Sequence, residues 1–122
     1  MATILVVDDE PSIRTLLSGY LSSRGYRVHV ASEGLHALAL VDQESPDLIV
    51  LDIHMPGLNG IEVLKRLRAK NYTGGVILMT ASPDERVLQE GLDLGAIEIL
   101  GKPWDRNRLE LAVQSGCIRS AP

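Results

Sequence analysis

The sequence predicts an α/β fold, a doubly wound five-stranded parallel sheet with five helices on its two faces. Three observations carry that prediction. The run Thr3–Val7 and those at 48–51, 76–79 and 97–100 are apolar at nearly every position. Such runs read as strands buried on both faces, as in parallel sheets. Helical periodicity fills each interval between strands, which is what right-handed crossovers need. Four of the five strands then end in a residue with chemistry to offer, at the edge where open sheets bind ligands.

Taken in order, Thr3–Val7 runs into Asp8-Asp9-Glu10, and Pro11 suits the first turn of a helix. Ile13, Leu16, Leu17, Tyr20 and Leu21 keep the spacing of one packed helical face, and Gly25 ends it. Arg27–Ala31 alternates polar and apolar, as a strand near the sheet edge does. The next helix spans 35–43, with Leu35, Leu38, Ala39 and Val41 offered to the core. Ser45-Pro46 precedes the strand 48–51, which leads to Asp52. Beyond a Met55-Pro56-Gly57-Leu58-Asn59-Gly60 loop, Ile61, Leu64 and Leu67 stripe a helix whose Lys65, Arg66, Arg68 and Lys70 read as a solvated face. A turn at 71–75 separates it from the strand 76–79 and Thr80-Ala81-Ser82. Pro83 and Asp84 start a helix through Leu94, weakened by about 1 kcal/mol by Gly91 in its interior. Gly95 caps it, and the strand 97–100 leads to Gly101-Lys102-Pro103-Trp104. Asp105 or Asn107 can cap the last helix, which runs to about Cys117.

The 122 residues, 45% of them apolar, suffice for one domain with one full core. A net charge of −4 without a Lys/Arg cluster argues against a nucleic-acid face. No apolar run reaches transmembrane length and no cationic leader precedes an apolar one, so neither membrane contact nor export is expected. A single cysteine, Cys117, fits a reducing cytoplasm and reads as a small packing residue. Phe is absent, so Leu, Ile, Val and Ala must build the core.

The strand ends carry Asp8 and Asp9, Asp52, Thr80 and Lys102. In a parallel sheet these lie side by side, so three acids, a hydroxyl and an ammonium converge in one crevice. Each residue alone has a plain structural reading, but their joint occurrence at strand ends does not. Clustered carboxylates repel, and oxygen ligands of this kind suit a hard cation such as Mg²⁺. A metal between Asp9 and Asp52 would also bind a phosphoryl oxygen, with Lys102 and the Thr80 hydroxyl on others. An aspartate so placed is a known kind of nucleophile toward phosphorus, giving an acyl phosphate. The His54 side chain, in a loop beside Met55-Pro56, reads as a bystander or a tuner of rate.

Val6-Val7-Asp8-Asp9-Glu10, Leu51-Asp52-Ile53-His54-Met55-Pro56-Gly57-Leu58-Asn59-Gly60, Met79-Thr80-Ala81 and Gly101-Lys102-Pro103-Trp104 occur in this order. With them, residues 3–115 resemble the receiver domain of bacterial two-component response regulators. The resemblance implies a flavodoxin-like sheet of strand order 2-1-3-4-5 and a single receiver over residues 1–122, without an output domain. It implies that Asp52 takes a phosphoryl group from a histidine kinase's phosphohistidine, or from a phosphotransfer protein. Asp9, Asp52 and the backbone carbonyl of His54 would ligate Mg²⁺, with Asp8 acting through water. Lys102 would contact the phosphoryl group and Thr80 would turn toward it. His54 and Ser82, two residues beyond Asp52 and Thr80, would flank the path of an attacking water and so set the acyl phosphate's lifetime.

The chain departs from the family pattern at Ile99, where a switch aromatic usually stands three residues before the lysine. Isoleucine cannot repeat a ring's inward rotation, which points to an altered output face over about 84–117. Trp104, in place of the common Phe, is expected to anchor the last helix rather than to mark a partner surface. The output would be a downstream protein partner or an output domain elsewhere in a longer protein, with the receiver a monomer or a weak dimer. It would turn over no free metabolite, its own phosphorylation and dephosphorylation apart.

Three other readings compete. A phosphatase of the haloacid-dehalogenase type would carry its nucleophile first, in an Asp-x-Asp loop, whereas here the acid pair comes first. A flavodoxin-like cofactor binder would need a Ser/Thr/Gly-rich phosphate loop where Asp8-Asp9-Glu10 stands. Ile99 keeps open a receiver-like interaction module that signals without phosphorylation.

Overall fold

In a computed structural model, which describes residues 2–119, the predicted alternation of strands and helices is realised. The strands are β1 (Thr3–Val7), β2 (Arg27–Ala31), β3 (Leu48–Asp52), β4 (Gly75–Thr80) and β5 (Glu98–Gly101). The helices are α1 (Pro11–Ser23), α2 (Gly34–Glu44), α3 (Gly60–Ala69), α4 (Glu85–Asp93) and α5 (Arg106–Arg119). All pairings are parallel and the order is β2-β1-β3-β4-β5. The strand expected at 97–100 is shifted by one residue to Glu98–Gly101.

Side chains of a strand alternate between faces, and here they divide the core in two. Leu5, Val7, Ile49, Leu51, Val76 and Leu78 point to the face covered by α2, α3 and α4. Ile4, Val6, Leu48, Val50, Ile77 and Met79 point to the face covered by α1 and α5. Register levels the strand ends: Val7 pairs with Leu51, Asp52 with Met79, and Thr80 with Gly101. Asp8, Asp52, Thr80 and Lys102 therefore end their strands in a row.

The alternating β2 is indeed an edge strand. Two helical faces differ from the expected ones. On α1, Ile13, Leu17, Tyr20 and Leu21 pack inward while Leu16 is 59% exposed, since its direction falls outside that stripe. On α2 the packed stripe is Gly34, Ala37, Leu38 and Val41, and Leu35 and Ala39 face solvent. The cause is close approach at Gly34, where an added Cβ would meet Val63 at 2.7 Å and Leu58 at 2.9 Å. Small residues thus face α3, and the larger Leu35 turns outward.

The basic face of α3 is only partly solvated. Lys70 pairs with Asp42 at 2.6 Å and Lys65 with Glu90 at 3.7 Å, both on the surface. Arg68 instead reaches over the loops at the opposite edge from the strand ends. It donates to the carbonyls of Leu94 (2.8 Å), Tyr72 (2.7 Å), Gly74 (3.3 Å) and Gly95 (3.2 Å). Asp105, not Asn107, caps α5, accepting from the Arg108 N–H at 3.1 Å. Trp104 packs half-buried against the α1–α5 core, as an anchor for that helix should. Cys117 is a free, half-buried thiol packed against the same core.

Candidate functional site

The site is built from the loops that leave β1, β3, β4 and β5. Asp8 follows β1 and is fully buried. Its Oδ1 accepts the Glu10 N–H at 2.9 Å, fixing the turn into α1. Its Oδ2 accepts from Lys102 Nζ at 2.7 Å. Asp52 closes β3 and is 2% exposed. Its Oδ1 accepts the His54 N–H at 3.2 Å, and its Oδ2 lies 3.3 Å from the same Lys102 ammonium. Glu10 contributes a further carboxylate oxygen 3.6 Å from Lys102. One ammonium thus lies among three acids, two of them buried and in need of a counter-charge.

Glycine makes this arrangement sterically feasible. A Cβ on Gly60 would lie 2.4 Å from the Asp52 carbonyl oxygen. Only glycine lets α3 begin so close to the end of β3. A capping box then fixes that helix start: the Glu62 N–H donates to Asn59 Oδ1 (2.9 Å), and the Asn59 N–H to Glu62 Oε1 (3.0 Å).

Burial pushes the Asp52 carboxyl up to about 6 from an ordinary 3.8, and the neighbouring Asp8 charge adds to it. Lys102 and the His54 amide pull in the other direction. Burial draws the Lys102 ammonium down, but its bonds to Asp8 and Asp52 more than offset this and leave it above the ordinary lysine value. At neutral pH the crevice holds an ionised but poorly solvated Asp52 carboxylate.

Asp9 is exposed, yet one oxygen from each of Asp8, Asp9 and Asp52 lies within 4.8 Å of the others. Such a set of hard, converging carboxylate oxygens fits a small divalent cation such as Mg²⁺. The fourth strand end supplies Thr80, which is fully buried. Its Oγ1 accepts the Ser82 N–H at 3.1 Å and lies 2.7 Å from Nε2 of His54.

The structure therefore brings Asp8, Asp9, Asp52 and Lys102 together, with Thr80 joined to them through His54. It does not bring Ile99 to the crevice. That side chain is buried on the α4 face of the sheet, among Leu78, Val87 and Leu88. Two contacts were not foreseen, Glu10 beside Lys102 and the imidazole of His54 on Thr80. The second depends on Asp52 pairing with Met79, which carries the loop beyond β3 past Thr80. No spacing along the chain announces that register.

A model of the response regulator receiver domain family matches residues 4–114, and the chain belongs to this family. Sporulation initiation phosphotransferase F of Bacillus subtilis is 41% identical over 91% of this chain and 90% of that protein. The alkaline phosphatase synthesis transcriptional regulatory protein PhoP, also of Bacillus subtilis, is 44% identical over 96% of the chain. The matched part is only 49% of PhoP, so the chain spans about half of that relative. Among solved structures, the receiver domain of the Francisella response regulator 1452 aligns with a TM-score of 0.92 and 32% identity, covering 99% of this chain and 100% of that one. The Thermotoga maritima response regulator TrrA, in complex with Mg²⁺-BeF, aligns with a TM-score of 0.84 and 37% identity, over 94% of this chain and 98% of that one. Receiver domains as a class are phosphoacceptors served by histidine kinases or phosphotransfer proteins. Among the described residues, no helix is long and apolar enough to cross a membrane.

Proposed function

We propose that Asp52 is the phosphoacceptor of this receiver and that its phosphorylation switches an interaction with another protein. The observation that carries the reading is the Lys102 ammonium held 2.7 Å from Asp8 and 3.3 Å from Asp52, beside a third carboxylate within cation-binding reach. Asp8, Asp9 and Asp52, with the backbone carbonyl of His54, would hold Mg²⁺. When bound, that ion supplies the positive charge that lets an anionic phosphoryl group approach three carboxylates.

An Asp52 carboxylate oxygen attacks the phosphorus of a phosphohistidine on the donor protein. A P–O bond forms, the P–N bond breaks, and the electron pair returns to the donor imidazole. Burial leaves the nucleophile poorly solvated, so little water must be stripped from it before attack. Lys102 neutralises the growing charge on one phosphoryl oxygen, and the Thr80 hydroxyl donates to another. Attack by water on the same phosphorus breaks the bond to the Asp52 oxygen, releasing inorganic phosphate and restoring the free carboxylate. The phosphoryl group passes from donor to Asp52 and then to water, so the domain acts as a switch that catalyses its own modification.

The altered population is read at the face formed by α4, β5 and α5, by a downstream partner or an output domain. The kinase or phosphotransfer protein would meet the strand-end edge, where Asp52 lies. The assembled acceptor pocket weighs against an interaction module that works without phosphate.

The test is intact mass after incubation with Mg²⁺ and acetyl phosphate, wild type beside Asp52→Ala. One phosphoryl group gained by wild type alone, and lost on chelation, supports the reading. No gain in wild type, with Mg²⁺ still bound, overturns it.

A further inference from the structure

We propose that the imidazole of His54 is the latch that holds Thr80 in the unphosphorylated receiver, and that its release is the switching movement. The inference rests on the phosphoacceptor reading of Asp52 and adds to it a positioning residue.

His54 touches both ends of the switch. Its N–H donates to Asp52 Oδ1 at 3.2 Å, and its Nε2 lies 2.7 Å from Thr80 Oγ1. The two contacts tie the acceptor carboxylate of β3 to the hydroxyl of β4 through one residue. Either the hydroxyl donates to a bare Nε2 or an Nε2–H donates to the hydroxyl oxygen. Only the first occupies the hydroxyl's single proton, and the latch is that arrangement, with the Thr80 O–H donating to Nε2. Thr80 also accepts the Ser82 N–H at 3.1 Å, so it is held from two sides.

A phosphoryl group on Asp52 changes the competition. Its anionic oxygens are stronger acceptors for the Thr80 O–H than an imidazole nitrogen, because charge-assisted hydrogen bonds are about twice as strong as uncharged ones. The hydroxyl then changes partner and Nε2 is left without one. His54 is exposed, so the freed ring has solvent to turn into.

The packing at Ile99 makes this ring the available mover. Ile99 is already buried while Thr80 is latched, with its Cδ1 lying 2.9 Å from the point a Cβ on Gly91 would occupy. An aliphatic side chain so placed has neither a polar atom to satisfy nor an outward position to leave. The change is then presented first at the rim made by His54, Ser82 and Pro83, all exposed, just before α4.

The imidazole ¹⁵N resonances of His54 test this at fixed pH in metal-free, unphosphorylated protein. The latch predicts that Nε2 differs between wild type and Thr80→Val, which keeps the shape and removes the hydroxyl. It predicts that Mg²⁺ with beryllofluoride moves the wild-type resonance to the Thr80→Val position. In parallel, acetyl phosphate should label His54→Leu about fivefold faster than wild type, as one lost hydrogen bond implies. His54→Gln, whose amide can still reach the hydroxyl, should restore the wild-type rate. An Nε2 resonance indifferent to Thr80→Val, or unmoved by bound beryllofluoride, overturns the latch while normal labelling leaves the acceptor reading standing. Absence of labelling in every variant, wild type included, overturns the acceptor reading and the latch with it.

Discussion

Ile99 and Gly91 are in such close contact that a Cβ on the glycine would lie 2.9 Å from Ile99 Cδ1 and 2.8 Å from Leu78 Cδ1. Helix α4 is therefore seated on β4 and β5 through a missing side chain. The glycine costs the helix about 1 kcal/mol in propensity, and alanine would recover that. It would also overfill a packed core, which costs typically 1–3 kcal/mol. Gly91→Ala should thus destabilise on balance, by about 1 kcal/mol. Adding Ile99→Val, which trims the clashing methyl, should return part of the loss. Urea unfolding of the two single variants and the double variant measures the coupling; strictly additive effects would refute the contact's importance.

The Asp52 carboxylate, the proposed nucleophile, is kept at a cost to the fold. Its folded value of about 6 lies above the 3.8 of the unfolded chain. Well below pH 3.8 both states hold the proton, and the burial is tolerated. As pH rises through the interval up to about 6, the unfolded chain releases the proton first, so stability falls. Above that interval the metal-free protein is less stable by on the order of 2–3 kcal/mol. Asp52→Asn should therefore stabilise the metal-free protein at pH 7 and lose most of that advantage at pH 4.5. Urea midpoints of the pair across this range give the difference, which should grow with pH.

The fold was legible because its signals are local and repeated. Apolar runs such as 48–51, followed by Asp52, announce buried strands, and leucine spacing announces the helices between them. The row of functional strand ends followed from the parallel alternation alone. Faces were harder to read. Leu16 and Leu35 fit their helical stripes by spacing, but small residues such as Gly34 and Ala37 let α2 approach its neighbours and turned Leu35 outward. Periodicity counts apolar side chains and cannot see close packing achieved by small ones. The His54 contact with Thr80 was illegible for another reason, because it joins residues 26 apart through a strand register.

Asp9, as a proposed Mg²⁺ ligand outside the core, should separate metal binding from folding. It is exposed and reaches the Asp8–Asp52 cluster without an assigned role in the core. Asp9→Asn should leave metal-free stability within about 0.5 kcal/mol of wild type. Its Mg²⁺ affinity should fall at least about tenfold, and with it the rise in melting temperature that bound metal confers. Thermal melts with and without millimolar Mg²⁺ check both statements at once. A variant that still gains the full wild-type rise would remove Asp9 from the metal set.

Ser82 and His54 stand at the mouth of the crevice, both exposed and both bonded to Thr80. A water attacking the proposed acyl phosphate would pass this rim. His54→Asn and Ser82→Glu should each change the dephosphorylation half-life several-fold, without loss of labelling by acetyl phosphate. Half-lives equal to wild type in both would show that the rim does not govern access.

Arg68 carries a prediction that its sequence neighbours do not. Lys65, Arg66 and Lys70 belong to the surface, and each should tolerate Ala within about 0.5 kcal/mol. Arg68 donates to carbonyls on both sides of β4, Tyr72 and Gly74 before it and Leu94 and Gly95 after α4. These carbonyls lie at helix ends and turns, where no regular ladder serves them. Hydrogen bonds from a charged donor contribute about 1.5–3 kcal/mol each, and part of this loss would be repaid by water at this half-buried site. Arg68→Ala should therefore cost about 2 kcal/mol. Arg68→Lys should recover little, since an ammonium cannot span four carbonyls as a planar guanidinium does. Because the clamp holds the loop between α4 and β5, amide hydrogen exchange at 94–97 should quicken in both variants while β1 and β3 stay protected. Uniform quickening across the sheet would mean that Arg68 supports the whole fold rather than this loop.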